Sequence, residues 1–297
     1  MLHINPKDVP TAKLHSYLLA AVAPRPIAFA STVDANGNPN LSPYSFFNVF
    51  SANPPIAIFS PARRVRNNTI KHTLENVMET KEVVINIVNY DMVEQASLSS
   101  TEYDKGVNEF EKAGFTPVKS MLVKPFRVKE SPVQLECKVK EIIHLGTEGG
   151  AGNLIISEIV MVHINEKYLD ENGKIDQHKL DLVGRLGADW YVRASGQALF
   201  EVAKPLSTLG IGIDQIPADI RNSSILSGND LGKLGNVESL PNETDVNEYK
   251  LLELSDLFIE FEDNAKELEI KLHEKAKALL SEGKVQEAWK CLLTFNN

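Results

Sequence analysis

The chain has 297 residues, 43% of them hydrophobic and 24% charged, with a formal net charge of -9 at neutral pH. That length can bury a sizeable core as one large domain or two, and the acidic balance argues against a general nucleic-acid or membrane-surface binder. No run reaches the ~18 apolar residues of a membrane helix. The early Pro6, Asp8 and Pro10 leave no secretory apolar core. Cys137 and Cys291 lie far apart with no CxxC, which points to a reducing compartment, the cytoplasm, rather than a disulfide framework.

Thr11–Ala21 reads as a short amphipathic lead-in helix, its apolar face packed on the body of the protein and His15 structural within it. The stretch from Pro24 to Thr69 carries the most information. After Pro-Arg-Pro, the apolar run Ile27–Ala30 reaches Ser31 and Thr32, and Asn36-Gly37 turns the chain into a second strand. That strand carries Asn40, Ser42, Pro43, Tyr44, Ser45, Phe46, Phe47 and Asn48. Pro43 cannot donate to a sheet ladder, so the strand lies at an edge or kinks there. A further apolar run, Ile56–Phe59, ends in Ser60 and the loop Arg63-Arg64-Val65-Arg66-Asn67-Asn68-Thr69. Asn67 is a fair N-cap for a helix over 69–80. Free N–H groups and a guanidinium at such a helix start suit a phosphate. Taken alone, the same loop reads equally as a solvated basic turn.

These residues together resemble the flavin reductase-like family: Arg-Pro, then Ala-x-x-Ser-Thr, then Asn-x-x-Pro-Tyr-Ser-Phe-Phe-Asn, the Pro54-Pro55 strand and the arginine loop. The resemblance covers about residues 10–200. It implies a mainly β fold with helices, an FMN-binding split β-barrel, followed by a C-terminal α-helical extension. It also implies FMN as cofactor, a homodimer, and NAD(P)H or a redox partner protein as electron donor. The implied cofactor-binding residues are Ser31, Thr32, Tyr44, Ser45, Phe46, Asn48, Ser60, Arg64, Arg66, Asn68, Thr69 and Arg185. Many relatives carry Lys-Asp-Thr where this chain has Asn67-Asn68-Thr69, which leaves Arg64 or Arg66 to supply the phosphate charge.

Further along, a helix over 69–80 and a buried strand over 82–88 are expected, then a short helix over 91–100. Tyr103–Phe115 reads as a mobile surface excursion. Three strands follow, over 126–129, 133–145 and 153–164, the last two joined by a glycine-rich hairpin. Gly149-Gly150-Ala151-Gly152 is no dinucleotide fingerprint, because a strand rather than a helix follows it. His144 and His163 lack a third ligand, so no metal site is expected. In the family, the Arg185–Tyr191 segment closes the barrel near the flavin.

Three regions are expected: a flavin-binding domain over 1–200, an irregular linker over 201–246, and a helical extension over 247–297. The extension carries the stripe Leu251, Leu254, Leu257, Phe258, Phe261 and a hairpin resembling one tetratricopeptide unit, with His273 on a solvated face. The resemblance implies an FMN-dependent oxidoreductase that reduces flavin with NAD(P)H by hydride transfer to flavin N5 and passes electrons onward. The alternative is a flavoredoxin-like electron carrier or flavin-binding interaction module. No catalytic acid or base stands out.

Overall fold

A computed structural model describes residues 1–295, so Asn296 and Asn297, the end of the expected helical extension, lie outside the described residues. The chain divides into two compact units, Met1–Phe200 and Glu201–Asn297. Among the described residues no helix is long and apolar enough to cross a membrane.

The first unit contains α1 (Thr11–Ala21), β1 (Ala28–Val33), β2 (Pro39–Tyr44), β3 (Phe47–Ala52), β4 (Pro55–Phe59), α2 (His72–Thr80) and β5 (Glu82–Ile87). It continues through α3 (Val93–Leu98), α4 (Glu109–Ala113), the short pair β6 (Pro117–Val118) and β7 (Arg127–Val128), β8 (Val133–His144) and β9 (Asn153–Ile164). It ends with α5 (Gln177–Leu180) and the hairpin β10 (Leu182–Arg185) and β11 (Tyr191–Ala194). Seven strands form one antiparallel sheet in the order β2-β1-β5-β8-β9-β4-β3. Bulges after Glu136 and Val139 interrupt the β8–β9 ladder, which strengthens twist and lets a long sheet curl. Pro43 sits on β2, an edge strand, where its missing N–H costs no ladder bond.

Two cores explain why every residue of β1 is buried. Successive side chains point to opposite faces. Ala28 and Ala30 join Leu74 and Val77 of α2 in one core, whereas Phe29 joins Met92, Ala96 and Phe110 in another. Glu109 then clasps β2, its carboxylate accepting from Asn40 Nδ2 at 2.9 Å and the Leu41 N–H at 3.0 Å. The segment expected as a mobile excursion is therefore packed, with Phe110 and Phe115 both buried.

Other expectations need correcting. α2 begins at His72, not Thr69, because Asn67 closes a local turn onto Thr69 and Asn68 takes a positive φ of 53°. α1 buries none of its residues, and Tyr17, Leu18 and Val22 stay exposed.

The second unit holds α6 (Ala218–Arg221), α7 (Gly228–Gly235), α8 (Glu243–Glu253), α9 (Ser255–Glu260), α10 (Ala265–Ser281) and α11 (Val285–Leu293). Its core gathers Leu272, Ala276 and Leu280 of α10 with Trp289 and Leu292 of α11. The stretch expected as an irregular linker contributes Ile216, Ile220, Leu226 and Leu234 to that same core. Apolar residues there are spaced by short helices rather than gathered in one run, and that hid them. His273 is also buried, its Nδ1 2.7 Å from Ser223 Oγ, rather than solvated.

Candidate functional site

α1 lies along one cleft of about 620 Å³, within the range of small-molecule sites. Thr11, His15 and Leu19 all line it. Positions four apart share a helix face, and eight residues at 1.5 Å each span about 12 Å. Near Thr11 lies the arginine loop, held by the glycine hairpin: Gly150 N–H donates to Arg63 O at 3.0 Å and Arg63 N–H to Ala151 O at 2.8 Å. Near Leu19 lies Arg25, whose guanidinium donates to the carbonyls of Leu19, Val22 and Leu186. The cleft thus has a cluster of cations at one end and the Arg25–Arg185 pair at the other, with about 12 Å of helix between Thr11 and Leu19.

At the cationic end, Arg64 is the most tightly placed side chain. It donates to Thr69 Oγ1 and Glu102 Oε1, both at 2.9 Å, and to the Ile70 carbonyl. Its side chain is only 15% exposed, against 81% for Arg66, which donates to Glu102 at 3.0 Å. Lys71 reaches the same carboxylate at 3.5 Å. Three cations converge on Glu102, and the Arg64 hydrogen bond holds its carboxyl below the usual carboxylate range.

The loop that carries these cations is fixed from behind. Asn153, almost fully buried, donates from Nδ2 to Pro61 O at 2.8 Å and from its N–H to Ser60 Oγ at 3.0 Å. A Cβ at Gly149 would stand 3.0 Å from the Val65 carbonyl, and one at Gly152 would stand 2.8 Å from Ser60 Oγ. These glycines let two backbones meet, which is a packing role that no fingerprint search reads.

At the other end, Arg25 and Arg185 are paired through their backbones, each N–H donating to the other's carbonyl at 3.0 and 2.9 Å. Burial first, and Arg185 second, lower the Arg25 pKa. Ser45 Oγ accepts from Arg25 Nε at 3.3 Å, and the Phe46 ring meets His15 edge-on at 6.1 Å. Ser42 and Ser60 add hydroxyls between the ends.

Of the residues expected at the site, Tyr44, Ser45, Phe46, Ser60, Arg64, Arg66 and Arg185 line the cleft. Five do not. Ser31 and Thr32 are fully buried in β1, Thr32 Oγ1 accepting from Asn76 Nδ2 at 3.0 Å and Ser31 Oγ left without a partner. Asn48 is exposed on β3 and bonds the next N–H, at 2.8 Å. Asn68 and Thr69 brace the loop from outside the cleft, Asn68 through Arg63 and Thr147, Thr69 through Arg64. Even Tyr44 is mostly core, its hydroxyl donating to Thr73 Oγ1 at 2.9 Å while burial raises its pKa. Thr11, His15, Leu19 and Arg25 were not anticipated. For the first three the signal was the i, i+4, i+8 spacing on α1, set against an expected apolar face; Arg25 lies outside that helix.

Among the described residues no cluster of three metal-ligating side chains exists. Both cysteines are buried, their thiols pushed up to about 12 by desolvation, and are unsuited to nucleophilic work.

A family model described as the flavin reductase like domain matches residues 20–179. An uncharacterized protein of Aquifex aeolicus (strain VF5) is 37% identical over 196 residues, 66% of this chain and 97% of that one. Among solved structures, nitrilotriacetate monooxygenase component B from Bacillus cereus matches with a TM-score of 0.63 and 30% identity, over 68% of this chain and 98% of that one. The 2-nitrobenzoate 2-nitroreductase of Pseudomonas fluorescens matches with a TM-score of 0.61 and 26% identity, over 70% of this chain and all of the other, 100%.

Proposed function

The chain belongs to the flavin reductase-like family, and from that premise we propose that it binds FMN in the α1 cleft and acts as an NAD(P)H:flavin oxidoreductase. The observation that carries this is the row Thr11, His15, Leu19 between a cation cluster and the Arg25–Arg185 pair. FMN needs cations for a dianion and hydroxyl partners for its ribityl chain; the arginine loop and Ser42, Ser45 and Ser60 offer both.

Arg64 is the phosphate ligand of this reading, since its fork is already aimed and largely desolvated, with Arg66 and Lys71 adding field. Ser42, Ser45 and Ser60 serve the ribityl hydroxyls. Arg185 and Phe46 frame the ring end, the guanidinium favouring extra electron density there. A bound flavin would supply the redox chemistry, hydride acceptance from NAD(P)H at N5 and electron transfer to an acceptor. The protein binds, orients and excludes water; no side chain is assigned a proton-transfer step.

Anaerobic stopped-flow mixing with NADH and with NADPH tests the reading. Rapid bleaching of the flavin absorbance by either supports it. A flavin that only a reduced protein partner bleaches would make this chain an electron carrier instead.

A homodimer completes the proposal. α1 buries none of its residues, and the edge strand β3 leaves Val49 51% and Phe50 65% exposed. An apolar edge is ordinarily covered, and a two-fold pair is the commonest cover. Light scattering giving one chain's mass, 32.9 kDa, would refute it.

A further inference from the structure

A second cavity, of about 400 Å³, opens between Tyr90, α3 and the β10–β11 hairpin, and it shares one residue, Arg185, with the α1 cleft. Arg185 stands on the partition. Its backbone is laddered to Arg25, its guanidinium lies 4.6 Å over the Tyr191 ring, and it donates to the Trp190 carbonyl at 3.3 Å. Among the described residues no carboxylate pairs with it.

The far wall repeats the device. Arg193 lies 3.7 Å over the Tyr90 ring and is held by two bonds to Asp181, at 2.7 and 2.6 Å. Its side chain is nonetheless 48% exposed and lines the cavity. Asp181 cancels its charge, which makes it a flat stacking surface more than an anion site. Glu94, Ser97 and Asp189 add hydroxyl and carboxylate acceptors to the lining.

Flat guanidinium and phenol faces suit a planar heteroaromatic base. Carboxylates suit the hydroxyls of a ribose, and an unpaired guanidinium between two cavities suits a diphosphate. We infer that this second cavity takes the adenosine half of the nicotinamide dinucleotide, with Arg185 on the diphosphate at the partition. The inference rests on the NAD(P)H reading above and adds a place for the part of the molecule that does no chemistry. Binding energy gathered there holds the nicotinamide against the flavin.

Two probes separate the halves: reduced nicotinamide mononucleotide, which lacks the adenylate, and ADP-ribose, which lacks the nicotinamide. The FMN-loaded protein should show a KM for its preferred dinucleotide about tenfold or more below that for the mononucleotide, the size of one base-stacking contact. Arg193→Ala should remove about tenfold of that advantage while leaving the mononucleotide KM and FMN affinity unchanged. Calorimetry should detect ADP-ribose binding to the wild type and its loss in the variant, with no turnover needed. Tyr90→Leu, which keeps bulk and removes the ring under Arg193, should behave the same way if Arg193→Ala folds poorly. Equal KM values for the two nicotinamides, equal effects of the variants on both, or no ADP-ribose heat would each overturn the adenosine site while leaving the reductase intact. Failure of both nicotinamides to reduce the flavin would overturn the reductase reading and this site with it.

Discussion

The two units of this chain bury different chemistry. The sheet unit hides polar groups in linked sets: Tyr44 donates to Thr73, Thr73 to Asn40, Asn40 to Glu109, and Asn153 braces the arginine loop. The helical unit hides Leu, Ala and Trp, and among the described residues only Asp230, His273 and Thr294 are buried polar side chains there. A buried polar group must be satisfied by one arrangement of its neighbours, so a polar interior fixes loops at defined positions. An apolar interior rewards close fit with far less direction. The proposed reading, a phosphate and a ring held at fixed separation, calls for the first kind of interior, and the cleft is lined by residues of that unit.

The largest expected effect tests whether the apolar unit can fail alone. Trp289 is fully buried and its Nε1 donates to Leu234 O at 3.0 Å. Trp289→Ala should cost that unit about 3–5 kcal/mol, seen as a lower-temperature transition in calorimetry, with FMN affinity unchanged. A parallel fall in FMN affinity would break the comparison.

The next effect probes the polar interior through pH. Burial alone would raise the Glu136 pKa, but the N–H groups of Met121 and Leu122 and the His163 ring outweigh it and hold the carboxyl below its ordinary value. The unfolded chain therefore binds the proton more readily. Stability from this group is full above the ordinary Glu pKa of about 4.3 and is lost as pH falls through the lower folded-state value. Glu136→Gln should cost about 1.5–3 kcal/mol at neutral pH, and its urea midpoint should converge on the wild type's as pH drops. Parallel curves would remove Glu136 from the account.

Arg64→Ala should weaken FMN by about 1.5–2 kcal/mol, the lower part of the range for a charge-assisted bond, because Arg66 and Lys71 still supply positive charge beside it. Riboflavin, lacking the phosphate, should bind as before. Fluorescence titration with both flavins decides it, and equal losses would return the loop to a solvated turn.

Much of the frame was legible in the sequence, and the reasons are local. The apolar text of β1, the Asn-Gly turn, the glycine hairpin between β8 and β9 and the stripes of α10 and α11 each follow from neighbours a few residues away. Which hydroxyls face the cleft does not. The resemblance implied Ser31 and Thr32 as ligands, yet helices cover their strand on both faces and leave both hydroxyls in the interior. α1 read as an amphipathic helix with its apolar face packed, yet the residues it turns to the cleft are Thr11, His15 and Leu19. Arg25 sits between two prolines, where spacing carries no signal, and its partners at Ser45 and Leu186 come from distant sequence.

The smallest expected effect is the most specific to the cation cluster. Without a phosphate, Glu102 is the counterion of Arg64, Arg66 and Lys71. A phosphate entering that cluster meets a resident carboxylate, and like charges there repel. Glu102→Gln removes the charge while keeping a side chain that can still accept from Arg64. FMN should then bind more tightly, by about 0.5–1 kcal/mol; exposed pairs are worth no more, because water and salt screen them. The Glu102 side chain is 43% exposed, so that discount applies here. Its carboxyl already lies below the usual range, so assay pH near neutral never protonates it, and the substitution rather than acid is the probe. The gain should shrink as salt rises and vanish for riboflavin. A weaker FMN complex in Glu102→Gln would mean that the carboxylate aims Arg64 rather than competing for it. Placement by the polar interior would then outweigh charge even at the rim of the cleft.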